Sequence, residues 1–125
     1  MEIKETPKIF ECEYKFCLIL WENEPIKSRK LVELCREKLG WMPTTTYTVM
    51  KRLSERGVMV NDKTIVRSLI PKEQVQASQL NEMMEKTFEG SLPAFVAAFT
   101  KQQHLSDKEI DAIQQMIDSY RKEEK

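Results

Sequence analysis

The part of this sequence with the strongest consequence for its fold is a three-residue connection, Gly40-Trp41-Met42, between two helical patterns. Before the connection, Ser28 is predicted to cap a helix that ends at Gly40, a residue that favours helix C-termini. After it, Pro43 suits a first helical turn, because its missing N–H has no partner there, and a second pattern runs towards Gly57. The apolar positions are Leu31, Leu34, Cys35 and Leu39 in the first helix, then Thr46, Val49, Met50 and Leu53 in the second. So short a connection predicts a helix-turn-helix.

The flanking segments extend this motif into a domain. Residues 10–22 carry apolar residues at the spacing of one helix face. Residues 58–60 and 65–69 are rich in β-branched side chains, and the polar residues 61–64 between them are typical of a hairpin turn. Three helices followed by a hairpin is the order of a winged helix-turn-helix. We therefore expect a mainly α chain of the α+β class, with a winged helix over residues 1–71.

Residues 72–125 predict three further helices, the last of which begins with a capping box formed by Ser106 and Glu109. A segment of this length has little core of its own in which to bury their apolar faces. These faces predict a helical dimerisation domain in a homodimer, with packing back onto the first domain as the alternative. The residues assigned to the dimer contact are Leu80, Met84, Phe95, Phe99, Ile110, Ile113 and Ile117.

The net charge of zero hides an asymmetry between the two halves. Residues 1–72 carry 14 Lys and Arg against 10 Asp and Glu, a balance of +4, whereas residues 73–125 carry 6 against 10, a balance of −4. The first half can therefore meet an anion, and the second half should not.

The sequence offers little support for catalysis, a cofactor or a metal. His104 is the only histidine, and no metalloprotease, phosphate-loop or nucleophile-elbow motif is present. Cys12, Cys17 and Cys35 lack paired spacing, so we expect reduced thiols rather than a disulfide or zinc site. The chain has no apolar run long enough to insert into a membrane, and its first residues lack an apolar signal core. We expect a cytoplasmic protein that is not an enzyme.

The third predicted helix carries the most informative pattern. If Thr46, Val49 and Leu53 face inward, helical geometry turns a set of hydroxyls and cations to solvent. Threonine is a poor helix former, so its frequency here needs a reason. Short hydroxyls at the start of a recognition helix can bind phosphates or base edges. Arg56 adds a positive charge that can contact the DNA backbone. The candidate DNA-binding residues, which we call the polar face of this helix, are Thr44, Thr45, Tyr47, Thr48, Lys51 and Arg52.

Two other interpretations of the polar face stay open at this point. It could be an ordinary solvated surface, or the winged helix could be a protein-interaction module without sequence-specific DNA binding. A gel shift at low salt separates these interpretations from DNA binding, because a DNA-binding chain must retard duplex DNA in a salt-sensitive way.

The order of several short motifs resembles that of the BlaI/MecI family of penicillinase and methicillin-resistance repressors. Glu13-Tyr14 through Leu20-Trp21 is similar to the family's first-helix pattern, and Gly40-Trp41-Met42-Pro43 with Thr45 and Thr48 resembles its recognition-helix signature. Later motifs are similar to those of its dimerisation domain. They are Gly90-Ser91-Leu92, Val96-Ala97-Ala98-Phe99 and Leu105-Ser106.

This resemblance implies a homodimeric repressor that binds a palindromic double-stranded operator near antibiotic-resistance genes, including β-lactamase genes. It also implies a partner, a membrane-bound sensor metalloprotease, that relieves repression by cleaving the chain. The bond at the family's cleavage position is Ala98–Phe99.

The chain departs from the family's pattern at three places. Met42 stands where the family has a serine cap, Thr44 and Tyr47 stand where it often has basic residues, and the hairpin is shorter than its usual wing. Copper-responsive relatives carry paired cysteines near the C-terminus, whereas this chain has no cysteine after Cys35.

Overall fold

The computed structural model describes residues 6–123, which form six helices and three short strands. The segment 1–5, on which part of the signal-peptide argument rests, lies outside the described residues. The mainly α class with a winged helix is confirmed. The elements are α1 Glu11–Asn23, β1 Ile26–Lys27, α2 Ser28–Leu39, α3 Pro43–Glu55, β2 Met59–Asp62, β3 Ile65–Ser68, α4 Lys72–Phe88, α5 Leu92–Gln102 and α6 Asp107–Glu123.

The sheet contains a strand that the sequence analysis missed. β1 pairs with β3 antiparallel, so the strand order is β1-β3-β2. β1 is only two residues long, too short to show an alternating pattern. It also changes the prediction for Ser28, which is the first residue of α2 rather than its cap. The Ser28 N–H donates to the carbonyl of Thr64 at 2.8 Å instead, which ties the start of α2 to the hairpin.

The hairpin turn is tighter than predicted. Asn61 and Asp62 belong to β2, where they pair with Val66 and Ile65, so the turn is not the four residues 61–64. The turn consists of Lys63 and Thr64, with φ of 50° and 71°. Two consecutive residues with positive φ give the twist that matches two antiparallel strands, and they allow β2 and β3 to pair up to the turn.

The described residues divide into two compact units, 6–80 and 81–123. The first unit has a continuous apolar core contributed by its helices and its sheet. Trp41, in the connection before α3, stacks on buried Phe16 with ring centroids 6.4 Å apart. Val75 of α4 is also buried, and the Gln74 side chain donates to Thr6 at 3.0 Å, so the start of α4 belongs to this unit.

The second unit consists of the end of α4 with α5 and α6. Side chains cap the starts of α5 and α6, and the cap of α6 is the predicted one. The Ser91 hydroxyl accepts from the N–H of Ala94, and Ser106 and Glu109 form the predicted capping box with two bonds of 3.1 Å. The Phe95 ring lies 5.5 Å from Phe88. No described residue of residues 81–123 is buried, which sets this unit apart from the first.

Candidate nucleic-acid interface

α3 is oriented as its amphipathic pattern predicts. Its four inward residues, Thr46, Val49, Met50 and Leu53, are buried. All six residues of the polar face are exposed, and they lie on the opposite side of the helix. The structure therefore brings the predicted DNA-binding residues together on one solvent-facing surface.

The start of α3 leaves backbone and side-chain groups available to a ligand. Pro43 occupies the first turn, and Met42 at the N-cap makes no side-chain cap bond and is 62% exposed. The Thr48 hydroxyl donates to the Thr44 carbonyl at 2.9 Å, which leaves its oxygen free to accept. Within residues 6–123, the side chains of Thr45, Tyr47 and Lys51 have no hydrogen-bond partner, so their polar groups are free to bind one.

The α3 polar face stands between two shallow grooves. On the α1 side, a groove of about 340 Å³ is lined by Cys12, Trp41, Thr44, Thr45, Thr48, Val49 and Arg52. On the hairpin side, a groove of about 380 Å³ is lined by Tyr47, Met50, Lys51, Ser54, Glu55, Met59 and Asn61. Sequence reasoning placed neither Cys12 nor Asn61 beside α3, because these contacts depend on how α1 and the hairpin pack.

The predicted role of Arg56 as a cation that contacts the DNA backbone stays a prediction, and the structure gives its guanidinium partners within the first unit. It donates to the carboxylate of buried Glu13 and, at 2.6 Å, to the carbonyl of Lys8. It also lies 5.5 Å from the ring centroid of Phe10. These contacts fix the C-terminal end of α3 to the start of α1, and they leave Lys51 and Arg52 as the cations of the polar face.

Glu13 is the buried partner in this arrangement. Burial by itself raises its pKa, but the hydrogen bond from Arg56, the one from the Phe10 N–H, 2.9 Å long, and the positive charges of Arg56 and Arg52 together outweigh that effect. The pKa of Glu13 is therefore lowered below its ordinary value of 4.5, and the carboxylate stays charged at neutral pH.

The remaining titratable candidates are the three cysteines and His104. Cys17 and Cys35 are buried free thiols, and burial raises the pKa of Cys17 to about 12. Cys12 is exposed. His104 is exposed and lines a groove of the second unit. Among residues 6–123, no group of His, Cys, Asp and Glu side chains could hold a metal ion.

Most of the predicted dimer residues are exposed. Phe99, Ile110, Ile113 and Ile117 of the second unit are 42–51% exposed, whereas Met84 and Phe95 are half-buried. Leu80 is the last residue of the first unit and is 51% exposed. In the second unit, an open apolar groove of about 630 Å³ has walls formed by Phe95, Val96, Phe99, Leu105, Ile110 and Ile113.

The predicted cleavage bond lies inside a regular helix. Ala98 is half-buried and Phe99 is exposed, and both belong to the second half of α5. The Phe99 carbonyl accepts from the N–H of Gln103 at 2.9 Å at the end of this helix. None of the described helices, in this unit or the first, is long and apolar enough to cross a membrane.

Comparison with known proteins relates the whole arrangement to one family. A sequence profile described as penicillinase repressor matches residues 9–119. The penicillinase repressor of Bacillus licheniformis is 20% identical over 98% of this chain and 99% of its own length. The methicillin resistance regulatory protein MecI of Staphylococcus aureus strain Mu50 is 22% identical over 90% of this chain and 95% of its own length. An uncharacterised 16.5 kDa protein of Latilactobacillus sakei is 24% identical over 91% of this chain and 81% of its own length.

The profile match includes the α3 polar face and most of the second unit. The expected resemblance is confirmed at the level of the family, although the identities are low. The chain therefore belongs to the penicillinase repressor family, a family of transcriptional repressors rather than enzymes.

Proposed function

We propose that this chain is a sequence-specific transcriptional repressor that binds a palindromic operator as a homodimer and is inactivated by proteolysis. The observation that carries this proposal is the α3 polar face, a cluster of exposed hydroxyls and cations on a rigid helix of the winged-helix unit. Such a repressor acts in the cytoplasm, and the names of its relatives, penicillinase repressor and methicillin resistance regulatory protein, point to antibiotic resistance and β-lactamase expression as the regulated traits.

α3 enters the major groove in this proposal. Thr45, Thr48 and Tyr47 contact base edges, and hydroxyls and methyl groups suit that role because they bind polar edges and thymine methyls respectively. Lys51 and Arg52 contact phosphates and fix the position of the helix on the duplex. Glu13 and Arg56 hold the far end of α3 in place.

The direct test measures binding to two duplexes, one selected from a random pool by the full chain and one of random sequence. Thr45→Ala or Thr48→Ala should weaken binding to the selected duplex by about 1–3 kcal/mol and relax the sequence preference. Lys51→Ala should weaken binding to both duplexes alike and lower the salt slope by about one per contact. Lys108→Ala, which removes an exposed cation from α6, is the control and should change neither. If both threonine variants bind like the parent chain, the assignment of the polar face is incorrect.

The proposed homodimer depends on the apolar surface of the second unit. Its apolar side chains are exposed or half-buried, and an apolar surface of this kind is typical of a contact with another chain. A second copy offers the same apolar groove and helix face, so a two-fold contact covers both at once. Two identical DNA-binding units in turn match a palindromic operator.

Proteolysis would relieve repression by removing the dimer contact. Two linked DNA-binding units hold each other at high effective concentration near the operator, so loss of the link weakens binding without any change in α3. Cleavage of Ala98–Phe99 would detach α6 and its apolar face from the rest of the chain. α5 must first unfold around this bond before a protease can cleave it. Local unfolding of α5 exposes the bond at low cost, because α5 has no buried residue.

The proposed protease is a membrane-bound sensor metalloprotease activated by a cell-wall antibiotic. Mass spectrometry of the chain from its own host, before and after exposure to such an antibiotic, tests this step. We expect a fragment that ends at Ala98. Derepression with the chain intact would show that another mechanism releases the operator.

A further inference from the structure

Met42 is an apolar residue that stands in solvent at the N-terminal end of α3. It is 62% exposed, more than any other large apolar side chain within residues 6–80. It occupies the N-cap position but makes no side-chain cap bond, whereas a serine or threonine there accepts a backbone N–H and stabilises the helix. The methionine side chain therefore supports neither the core of the first unit nor the start of α3.

Backbone contacts place Met42 beside the proposed base contact Thr45. The Met42 carbonyl accepts from the Thr45 N–H at 3.0 Å and from the Thr46 N–H at 3.3 Å, so Met42 begins the first turn of the helix. Its own backbone is extended, with φ of −68° and ψ of 149°. The N-terminal residues of a recognition helix are those that meet base edges. Met42 is therefore positioned to meet the same base edges as Thr45.

The exposed groups near Met42 include methyl groups. Thr45 and Thr48 carry one each, and the Thr48 hydroxyl donates to the Thr44 carbonyl at 2.9 Å. That hydroxyl has no proton left for a base, whereas the Thr48 methyl group stays available. In the major groove, the apolar group that a base pair presents is the C5 methyl of thymine. The unbranched, polarizable side chain of methionine adapts to the shape of such a group.

We propose that Met42 is a specificity-determining residue, which packs against the C5 methyl group of one thymine in each half of the operator. The contact removes an exposed side chain and an exposed methyl group from water, and it favours thymine over the other bases at that position. This inference rests on the proposed DNA binding. It adds an apolar contact, made by a residue outside the polar face, to the hydroxyls and cations of α3.

The proposal predicts a loss of affinity that is confined to the selected duplex. Met42→Ala should weaken binding to that duplex by about tenfold, because each of the two bound copies loses an apolar contact. Binding to the random duplex should change little, since thymine stands at the contacted position there only by chance. The salt slope should stay the same, because an apolar contact releases no counterion. Leu69→Ala removes a 53% exposed apolar side chain outside α3 and is the matched control.

A second variant separates this role from a structural one. Met42→Ser supplies the missing cap of α3, so the melting temperature should rise by a few degrees. Its affinity for the selected duplex should nevertheless fall, as it does for Met42→Ala, because serine lacks the apolar side chain. If Met42 acted only through the stability of α3, the melting temperature and the affinity of Met42→Ser would rise together.

The decisive experiment uses the full chain and the selected duplex, with its thymines replaced one at a time by deoxyuridine, which lacks only the C5 methyl group. At one position in each half-site the replacement should weaken binding of the parent chain by about three- to fivefold. Met42→Ala should be insensitive to the replacement at that same position.

Two results would overturn the proposal. One is a parent chain that is insensitive to every replacement, and the other is a Met42→Ala variant that loses as much as the parent chain at every sensitive position, since another residue would then contact the methyl group. Failure of DNA binding as such has a different signature, because the parent chain would then show no salt-dependent binding to either duplex.

Discussion

The two units of the molecule bury their apolar residues to very different extents. In residues 6–80, side chains such as Phe16, Leu31 and Leu53 are completely buried. In residues 81–123, every described residue is at least partly exposed, although the helices there have equally regular apolar patterns. Periodicity therefore identifies an apolar helix face but does not say which molecule covers it. The first unit covers its own faces, and we expect a second copy to cover those of the other.

The largest expected effect comes from placing a charge on the exposed apolar face of α6. Ile113→Asp puts a carboxylate beside the apolar groove, and in a two-fold dimer it would bury two such charges. We expect the dimer dissociation constant to rise by about ten-thousandfold, or roughly 5–6 kcal/mol, since each of the two unpaired charges costs several kcal/mol to bury. Binding to the selected duplex should weaken with it. Sedimentation and duplex titration measure the two effects.

Gln115→Asp is the matched control for this variant. It adds the same charge to the same helix, but Gln115 lies on the face opposite Ile113 and is exposed. It should dimerise like the parent chain. An Ile113→Asp variant that stays dimeric would show that this face is not the contact.

A buried and an exposed phenylalanine compare the two units directly. Phe16→Ala empties a fully buried site stacked on Trp41, so the free energy of unfolding should fall by about 3–5 kcal/mol. Phe99→Ala removes the same ring from the second unit, where it is 42% exposed. In dilute solution, where chains are monomeric, its effect should be about 1 kcal/mol or less. Chemical denaturation measures both. Equal losses would mean that the second unit has a core of its own.

Within the first unit, the link between α1 and α3 should depend on one carboxylate. Glu13→Gln removes the charge that binds Arg56, and we expect a loss of about 2–3 kcal/mol in the free energy of unfolding, typical of hydrogen bonds to charged groups. Glu11→Gln changes an exposed carboxylate in the same helical turn and should have little effect.

The same carboxylate predicts a pH dependence. Its pKa is lowered in the folded chain, so its contribution to stability is present above pH 4.5 and is lost as the pH falls through the folded-state pKa. The stability difference between the parent chain and Glu13→Gln should therefore shrink below pH 4.5. A difference that is constant down to the acid transition would argue against a charged Glu13 in the folded state.

The smallest effect concerns the reactivity of the thiols. Cys12 is exposed, whereas Cys17 and Cys35 are buried and burial raises the pKa of Cys17 to about 12. A disulfide reagent at pH 8 should modify one thiol rapidly and the other two only as the first unit unfolds. Cys12→Ser should abolish the rapid phase. Rapid modification of all three thiols would show that the core of the first unit opens readily.

Sequence reasoning predicted the elements that depend on local patterns. The α3 polar face followed from four inward positions at helical spacing, and the capping box at Ser106 followed from residue types alone. Contacts between segments that are distant in the sequence could not be predicted from such local patterns. The role of Arg56 depends on Glu13, which lies 43 residues away, and β1 is too short to leave a pattern. Asn61 is a residue type that favours turns, but its pairing with Val66 places it in β2.

Sedimentation equilibrium of the intact chain at roughly tens of micromolar, well above the dissociation constant of a stable dimer, shows whether a second copy covers the second unit. If a second copy covers the apolar faces of the second unit, the mass should be twice that of the 14.8 kDa chain. A single mass of 14.8 kDa across this range would rule out the homodimer, because the exposed faces of α5 and α6 would then have no second copy to cover them.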